Sequence, residues 1–430
     1  MSPNDERGGR TYGVPTATGL VVTSMIGTGV FTTSGPLLET VGSPASVLLV
    51  WLVGGLVSIA GALSYAELGS RHPEAGGEYL LLGRALHPAL GFAAGFVSLV
   101  AGFAAPIAVC ALAFASYLRA AGLALPETPV ALGLVALATL LHLPGRELGV
   151  RAQNALTALK LLLTVGLALA CAPAIDPSRL TFDAVPAELA RPSFGLGVIE
   201  VFFAYTGWNA AVYVAGDLRE PARTLPRALF GGTALVTAVY LLLNAVFVLA
   251  APLEAVRGET AIAERVVASL AGPGPARALS GLVAFGLVST VGAFVLSGAR
   301  VHQAMAADHP RLAWLGRTNA RGAPVVALAV QAGLAMLLVL VSTLRDLLGG
   351  VGMALSLTSA LTIVALFAER RRRPPVFAAP GHPYVPLVYL GLVGWVLVGG
   401  ALSRPDLFAL SLATLGLGAL GYVVFREKTA

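Results

Sequence analysis

The chain has 430 residues, of which 57% are hydrophobic and only 12% are charged, and its formal net charge is +6. Soluble domains carry about twice this share of charged residues, so the composition excludes an ordinary soluble protein and predicts an integral membrane protein. No nucleic-acid partner is needed to explain the net charge, because membrane proteins keep an excess of cations on one side of the bilayer.

Long apolar segments recur from one end of the chain to the other, each bounded by charged residues or by Gly and Pro. A helix needs about 20 apolar residues to cross the hydrocarbon core. The twelve predicted spans are 14–38, 45–70, 86–118, 129–144, 150–173, 194–216, 226–251, 278–306, 323–344, 347–368, 385–403 and 406–425. The residues before the first span lack the apolar stretch of a cleaved signal peptide, so we expect that span to remain as an anchor.

The cationic residues are distributed unequally between the predicted loops. With the N-terminus inside, the inner segments hold 19 Lys and Arg residues and the outer segments hold 8, when the intramembrane Lys160 is left out. Because cytoplasmic loops carry the excess of Lys and Arg, this ratio predicts a multi-pass protein of the cell membrane with both termini in the cytoplasm.

Two of the predicted spans are interrupted by glycine. Span one contains SMIGTGVFTTSGP around Thr28, and span six contains FFAYTGWN around Gly207. The two spans are five apart and enter the membrane from opposite sides, which is the pattern of an inverted repeat with a site at its interface. We therefore predict an all-α fold that forms one transmembrane domain over residues 1–430. Its parts are a first repeat at about 14–173, a second at about 194–368, and two further helices at about 385–425.

An unwound helix has a chemical consequence inside a membrane. Backbone N–H and C=O groups without helix partners are tolerated there only where they line a cavity or bind something. The N–H groups that begin the second half of span one suit a carboxylate, and the carbonyls that end its first half suit an ammonium group. Together they predict a site for a zwitterion such as an amino acid. The alternative is that Gly27 and Gly29 serve only close helix packing, but the matched break in span six favours a site.

One lysine lies inside a predicted span. Lys160, in NALTALKLLLTVGLALACA, lies about 15 Å into span five, near the middle of a hydrocarbon slab about 30 Å thick. Burying an ammonium group there is costly, so a functional role is the default hypothesis, with the carbonyls of a broken helix as acceptors. The alternative is that the side chain reaches to the inner interface as an anchor.

The remaining reactive side chains do not predict an enzyme or a metal protein. The two cysteines, Cys110 and Cys171, fall inside spans, and the six histidines show no metal-ligand spacing. No nucleophile, base and orienting group gather in one region of the sequence. We therefore expect no catalytic residues, no metal site and no cofactor.

The order of motifs resembles the amino acid-polyamine-organocation superfamily, whose members share a LeuT-like fold with discontinuous helices 1 and 6. The motifs are MIGTGVF, AELGSRHPEAGGEYLLL, NALTALK, FAYTGWNAAVYVAGDLREPARTLPRAL, YLLLNAVF, GARVHQAMAADHPRL, RGAPVVAL and GHPYVPLVYL. They cover nearly the whole chain. Within the superfamily, FAYTGWN is most similar to the L-type amino acid transporters and their bacterial relatives.

This resemblance implies roles for individual residues. The substrate-binding positions it implies are Ile26, Gly27, Thr28, Gly29, Phe203, Ala204, Thr206, Trp208 and Asn209. Gly27, Thr28 and Gly29 would bind the substrate carboxylate, and the carbonyls of Ile26 and of span six would bind the amino group. Phe203 would close the outer path, whereas Trp208 and Asn209 would shape the side-chain pocket.

The resemblance also implies residues outside the substrate contacts. Lys160 matches a lysine that replaces a sodium ion in sodium-independent members, bridging the first half of span one to span eight. Ser289 and Thr290 in span eight are its candidate hydroxyl partners, and Asn244 in span seven matches an asparagine of structural or gating role.

Two features depart from the pattern of the family. The outer loop at 120–128 lacks the cysteine by which animal relatives bind a heavy chain, so no disulfide-linked heavy chain is expected. Glu200, in VIEVFFAY, places a carboxylate where relatives have an uncharged residue. It could accept a proton for symport, pair with a cationic substrate, or face water in the outer vestibule.

The resemblance implies a sodium-independent secondary transporter of neutral L-amino acids that works by alternating access in the lipid bilayer. The sequence leaves open whether it exchanges amino acids or takes them up with protons, which side chains it accepts, and its oligomeric state. The alternatives are a carrier of cationic amino acids or amines, for which Glu200 is the argument, and a transporter-like amino acid sensor.

Overall fold

A computed structural model describes residues 12–143, 146–342 and 344–425, and within these ranges the chain is helical apart from one isolated β-bridge between Tyr12 and Leu218. The helices of the first half are α1 Val14–Met25, α2 Gly29–Thr32, α3 Ser34–Val41, α4 Pro44–Arg71, α5 Glu78–Ala85, α6 Pro88–Val97, α7 Ala105–Ala120, α8 Glu127–His142, α9 Arg146–Cys171 and α10 Val185–Leu189. Those of the second half are α11 Pro192–Ala204, α12 Ala210–Tyr213, α13 Pro221–Leu249, α14 Leu253–Val256, α15 Ile262–Ala271, α16 Pro273–Asp308, α17 Val325–Val341, α18 Leu344–Arg372, α19 Tyr384–Ser403 and α20 Pro405–Phe425.

Nine helical stretches in the described part of the chain are long and apolar enough to cross a membrane. They are Val14–Thr32, Pro44–Arg71, Pro88–Ala120, Asn154–Ala174, Pro221–Leu249, Pro273–Asp308, Val351–Arg372, Tyr384–Leu402 and Pro405–Phe425. The predicted spans at 129–144, 194–216 and 323–344 contain shorter apolar helices, Glu127–His142, Ser193–Phe202 and Val325–Val341. The chain is therefore a multi-pass, all-helical membrane protein.

The helix is interrupted at both places where glycine interrupts the apolar pattern. In the first span α1 ends at Met25 and α2 begins at Gly29; in the sixth, α11 ends at Ala204 and α12 begins at Ala210. At Thr33 the backbone keeps a right-handed helical conformation. The second half of the first span therefore continues through α3.

The third span contains a local widening that the sequence analysis did not predict. Between α6 and α7 the helix is π-helical over Ser98–Ala104, just before Pro106. Proline has no N–H for the carbonyl four residues earlier, so a regular α-helix cannot continue unchanged through this point. Such wide turns are frequent at functional sites, and Gly102, Phe103 and Pro106 line the central cavity described below.

Helix α4 packs closely against α13 and against the sixth span. A Cβ atom on Gly55 would lie 2.3 Å from Thr237 Cγ2, and one on Gly61 would lie 2.8 Å from Trp208. Small residues let helix backbones approach in a membrane, where packing and polar contacts replace the hydrophobic effect. The glycines of α4 thereby position both the broken sixth span and α13.

A buried ionic network lies at the face of the bundle that carries Tyr12, here called the amino-terminal face. Glu67 of α4 is fully buried and accepts two hydrogen bonds from Arg370 of α18, at 2.6 and 2.5 Å, and one from Arg71 at 3.1 Å. Its Oε2 also accepts the backbone N–H of Ala379 at 2.8 Å. One carboxylate thus joins α4, α18 and the segment before α19.

Replacing Glu67 by glutamine should lower the melting temperature of the purified protein, at a cost on the order of 3 kcal/mol, because Arg370 loses its carboxylate partner. Glu259→Gln is the matched control, since Glu259 pairs with Arg265 at an exposed position and such pairs contribute little. The melting temperatures of both variants are measured in detergent, with size-exclusion chromatography as the readout of folded protein. Equal melting temperatures for Glu67→Gln and the unaltered protein would contradict this role of Glu67.

Candidate functional site

The two helix breaks lie directly against each other. A Cβ atom on Gly29 would lie 2.7 Å from Ala204 Cβ, and one on Gly207 would lie 2.8 Å from the backbone carbonyl group of Ser24. Gly207 also has φ +99°, a conformation that favours glycine because it has no Cβ. The glycines that the sequence analysis singled out therefore allow this contact between spans one and six.

Tyr240 of α13 connects the two breaks and was missed by the sequence analysis. Its hydroxyl lies 2.5 Å from the Met25 carbonyl oxygen, at the end of α1, and 3.2 Å from that of Ala204, at the end of α11. Carbonyls at a helix end have no partner within the helix. One buried hydroxyl thus lies within hydrogen-bonding distance of both helix ends and shares its single proton between them, and no local sequence pattern indicates such a long-range pairing.

Asn244 lies one turn after Tyr240, beside the breaks rather than within them. Its amide nitrogen donates to the Tyr240 carbonyl at 2.8 Å, and its amide oxygen accepts a hydrogen bond from the Ser34 hydroxyl. The indole N–H of Trp51 donates in turn to Ser34 Oγ at 2.8 Å. Asn244 therefore ties α13 to α3 and α4.

Lys160 of α9 is buried, with 5% of its surface exposed, and its amino group contacts the end of α1. The amino group donates hydrogen bonds to the carbonyls of Thr23, at 3.2 Å, and Ile26, and to Thr290 Oγ1 of α16 at 2.6 Å. Three acceptors match the three donors of an ammonium group. Lys160, Ile26 and Thr290 are therefore brought together, although they are far apart in sequence.

Ser289, the second candidate partner of Lys160, is bonded to Thr23 of the same region. Its hydroxyl lies 3.0 Å from Thr23 Oγ1 and donates to the Gly286 carbonyl at 2.9 Å. Gly286 borders the lysine stem, since a Cβ there would lie 3.4 Å from Lys160 Cγ. Ser289 thus supports the end of α1 through Thr23.

The predicted carboxylate-binding residues of span one differ in what they face. The Gly27 N–H already donates to the Met25 carbonyl at 2.8 Å, and Gly27 lines a small cleft next to Lys160. Thr28 lines a large cavity on the other side of the break. Thr28 and Gly29 therefore remain the candidates for presenting N–H groups to a ligand.

A small cavity of about 50 Å³, here called the central cavity, lies beside the break in the sixth span. Thr206, Trp208 and Asn209, all predicted site residues, line it together. The Trp208 ring packs edge-on against Tyr65 and Tyr389, with ring centroids 4.8 and 5.8 Å apart. These contacts hold the indole in the wall of the cavity.

A buried carboxylate that the sequence analysis did not assign to the site also lines the central cavity. Glu78, at the start of α5, accepts hydrogen bonds from Tyr65 at 3.1 Å and from Asn209 at 2.6 Å. Burial raises the pKa of the Glu78 carboxyl, and hydrogen bonds from Tyr213, Tyr65 and Asn209 oppose that rise. The sequence shows Glu78 only as a charge in a loop between spans.

A second, much larger cavity of about 950 Å³ reaches the face opposite the amino-terminal face. Its wall includes Thr28, the carboxylates Glu200 and Glu264, and Arg404. Glu200 is exposed in this cavity. Phe202 lines both cavities, whereas the side chain of Phe203, the predicted gate, lies outside the described part of the structure.

The described residues contain no group of three or more His, Cys, Asp or Glu side chains that could hold a metal ion. Cys110 is buried and Cys171 is partly buried, and both are free thiols. The polar groups gathered here are backbone carbonyls, hydroxyls, amides, one ammonium group and separated carboxylates. Such groups bind and orient a polar ligand.

Comparison with known proteins gives a consistent match over nearly the whole chain. The profile of the amino acid permease family matches residues 12–406. The serine/threonine exchanger SteT of Bacillus subtilis is 27% identical over 94% of this chain and 94% of its own length. The human large neutral amino acids transporter small subunit 2 is 27% identical over 96% of this chain and 80% of its own. The mouse Asc-type amino acid transporter 1 is 27% identical over 92% of this chain and 77% of its own length.

Replacing Gly207 by alanine should lower the thermal stability of the protein by about 1–3 kcal/mol, since the new side chain would be strained and would press on Ser24. Gly231→Ala, in α13, is the control, because a Cβ there meets nothing within 4 Å. Melting temperatures of the two purified variants measure the difference. The contact between the breaks would be contradicted if both variants melted like the unaltered protein.

Proposed function

Because the chain belongs to the amino acid permease family, we propose that it is a sodium-independent secondary transporter of neutral L-amino acids that works by alternating access. The observation that carries the proposal is the contact between the two helix breaks beside a cavity. Helix ends there supply carbonyl oxygens for an ammonium group and N–H groups for a carboxylate. An L-amino acid carries both groups on one carbon atom.

In this proposal the zwitterion binds between the breaks of spans one and six. Thr28 and Gly29 bind the carboxylate, and carbonyls of Ile26, Phe203, Ala204 and Thr206 bind the amino group. The side chain enters the central cavity beside Trp208 and Asn209. The contact of Gly29 with Ala204 supports this arrangement, because it brings the donors and the acceptors within the length of one amino acid.

Lys160 is a fixed internal cation rather than a ligand of the substrate. Its contacts are the carbonyls of Thr23 and Ile26 and the hydroxyl of Thr290, which are the hard oxygen ligands that a small metal cation also takes. A tethered ammonium group at this position bridges α1 to α16 without a bound ion. This geometry supports independence from sodium.

Alternating access requires one closed and one open side. The large cavity opens to one face, whereas the amino-terminal face is closed by the Arg300 to Asp217 ion pair at 2.9 Å and by the hydrogen bond from Tyr79 to Asp308 at 2.8 Å. With both termini in the cytoplasm, the closed amino-terminal face is the inner one and the large cavity opens outward. The protein is then in an outward-open state of a LeuT-like fold with twelve spans. Rearrangement of these inner contacts then accompanies inward opening.

A carrier of cationic amino acids is the second candidate. The observation that favours it is the pair of carboxylates, Glu200 and Glu264, in the wall of the large cavity, where negative charge would attract cations. Arg404 in the same wall is paired with Asp406 at 2.8 Å. Glu200 lies in the entry path in this arrangement and not at the breaks.

Proteoliposomes containing the purified protein should take up labelled neutral amino acids equally well with sodium or with choline outside. Uptake that requires internal amino acid would establish exchange, and uptake driven by a proton gradient alone would establish symport. A panel that includes arginine and lysine tests the second candidate. Sodium-dependent uptake would contradict the proposal, as would faster uptake of the cationic amino acids than of the neutral ones.

Replacing Lys160 by methionine should reduce uptake per folded protein at least about tenfold, since the carbonyls of Thr23 and Ile26 lose a charged donor. Leu162→Met, two residues along α9 on an exposed face, should transport normally. Initial uptake rates are divided by the amount of monodisperse protein in each preparation. Normal transport by Lys160→Met would contradict a role of this lysine in transport and leave it a purely structural one.

A further inference from the structure

A second polar layer lies behind the proposed substrate site, and Glu78 is at its centre. The Glu78 side chain is 2% exposed, yet the residue lines the central cavity. Its Oε1 accepts hydrogen bonds from the hydroxyl of Tyr65 in α4 and from the amide nitrogen of Asn209 in the sixth span. A buried carboxylate with such partners is well placed to orient a neighbouring amide.

The partners of Asn209 decide which way its amide faces. The nitrogen of the amide, and not its oxygen, points to Glu78, where it donates to Oε1 at 2.6 Å beside the hydroxyl of Tyr65, and a carboxylate oxygen is suited to accept both hydrogen bonds. The same nitrogen lies 3.2 Å from the Tyr213 hydroxyl. Both neighbours therefore engage the nitrogen, and the amide oxygen is left to accept a hydrogen bond from something else.

Two more polar groups in the cavity wall have no partner among the residues that the structure describes. The hydroxyls of Ser24 and Ser297 are buried without a hydrogen bond, and both residues line the central cavity. Buried polar groups are nearly always paired, with protein or with something bound. A hydroxyl on the ligand can serve such groups both as donor and as acceptor.

The size of the cavity limits what can enter. A volume of about 50 Å³ has room for roughly four water molecules. A short side chain such as that of threonine is of this size, whereas the extended chains of lysine and arginine are longer. The rings of Trp208 and Phe103 border the cavity.

We propose that Glu78 holds the amide of Asn209 so that its oxygen faces the central cavity, and that the cavity therefore selects amino acids with a short hydroxyl side chain. This inference rests on the proposed transport function and names the substrate class of that site. Glu78 is a positioning residue that acts through Asn209. An alkyl side chain of equal size would enter the same space but leave the polar groups of the wall unpaired. A site built to bind a substrate hydroxyl discriminates strongly against a substrate that lacks it for this reason.

Threonine and valine provide the test, because they have nearly the same shape and differ by one hydroxyl. In proteoliposomes the unaltered protein should transport threonine at least about fivefold more efficiently than valine, measured as the ratio of their kcat/KM values. Glu78→Met should bring this ratio close to one, since the Asn209 amide is then free to rotate. Glu78→Gln keeps an acceptor oxygen and should retain most of the preference.

The ratio is measured within each variant, so a smaller amount of folded protein does not change it. Glu67→Gln is the control, because it alters a buried carboxylate at the amino-terminal face and should leave the ratio unchanged. If Glu78→Met does not fold, Asn209→Ala removes the amide itself and should give the same loss of preference. If Glu78→Met and Asn209→Ala both fold, the variant that combines them should discriminate between threonine and valine no less than Asn209→Ala alone, because Glu78 acts through Asn209.

Two results would overturn the inference while leaving the proposed function in place. They are equal transport of threonine and valine by the unaltered protein, and an unchanged ratio in Glu78→Met or Asn209→Ala. A preference for lysine or arginine within the panel, or absence of uptake for every amino acid, would instead refute the proposed function, and the inference with it.

Discussion

Every backbone carbonyl in the hydrocarbon core needs a hydrogen-bond donor, and the interior of this protein is organised around the carbonyls that two broken helices leave without one. Each unpaired group costs several kcal/mol in such surroundings. At the end of α1, Met25 finds the hydroxyl of Tyr240, and Thr23 and Ile26 find the ammonium group of Lys160. The breaks persist because distant helices provide these donors.

The donors and the glycines act together. Tyr240 also reaches the Ala204 carbonyl at the end of α11, so one side chain contacts the ends of both broken helices. Gly29 and Gly207 allow the two unwound segments to touch, because a Cβ at either position would collide with the other span. Helix-end carbonyls, N–H groups and a small cavity are thereby brought together around the contact of the two breaks.

Charge is kept in separate places around this gap. The ammonium group of Lys160 lies behind α1, the carboxylate of Glu78 lies at the central cavity, and Glu200 lies in the wall of the large cavity. Opposite charges that met directly would neutralise each other and lose their influence on a ligand. Each therefore has different surroundings: Lys160 contacts the end of α1, Glu78 contacts the Asn209 amide, and Glu200 faces the large cavity.

The sequence by itself determined the membrane class, the two interruptions and the cost of burying Lys160, because hydrophobic length, glycine in an apolar helix and an intramembrane charge are local properties. The motifs also indicated Thr290 as a neighbour of Lys160, through the resemblance to a family. Only the tertiary structure decided which acceptors Lys160 reaches, that Tyr240 joins the breaks, and that Ser289 bonds to Thr23. It also placed Glu78, which the sequence shows only as a loop charge, in the cavity wall, since the first residue of α5 lies beside Asn209 of the sixth span. These pairings join residues up to 266 positions apart. No local pattern records them, because they depend on how α4, α9, α13 and α16 pack around the breaks.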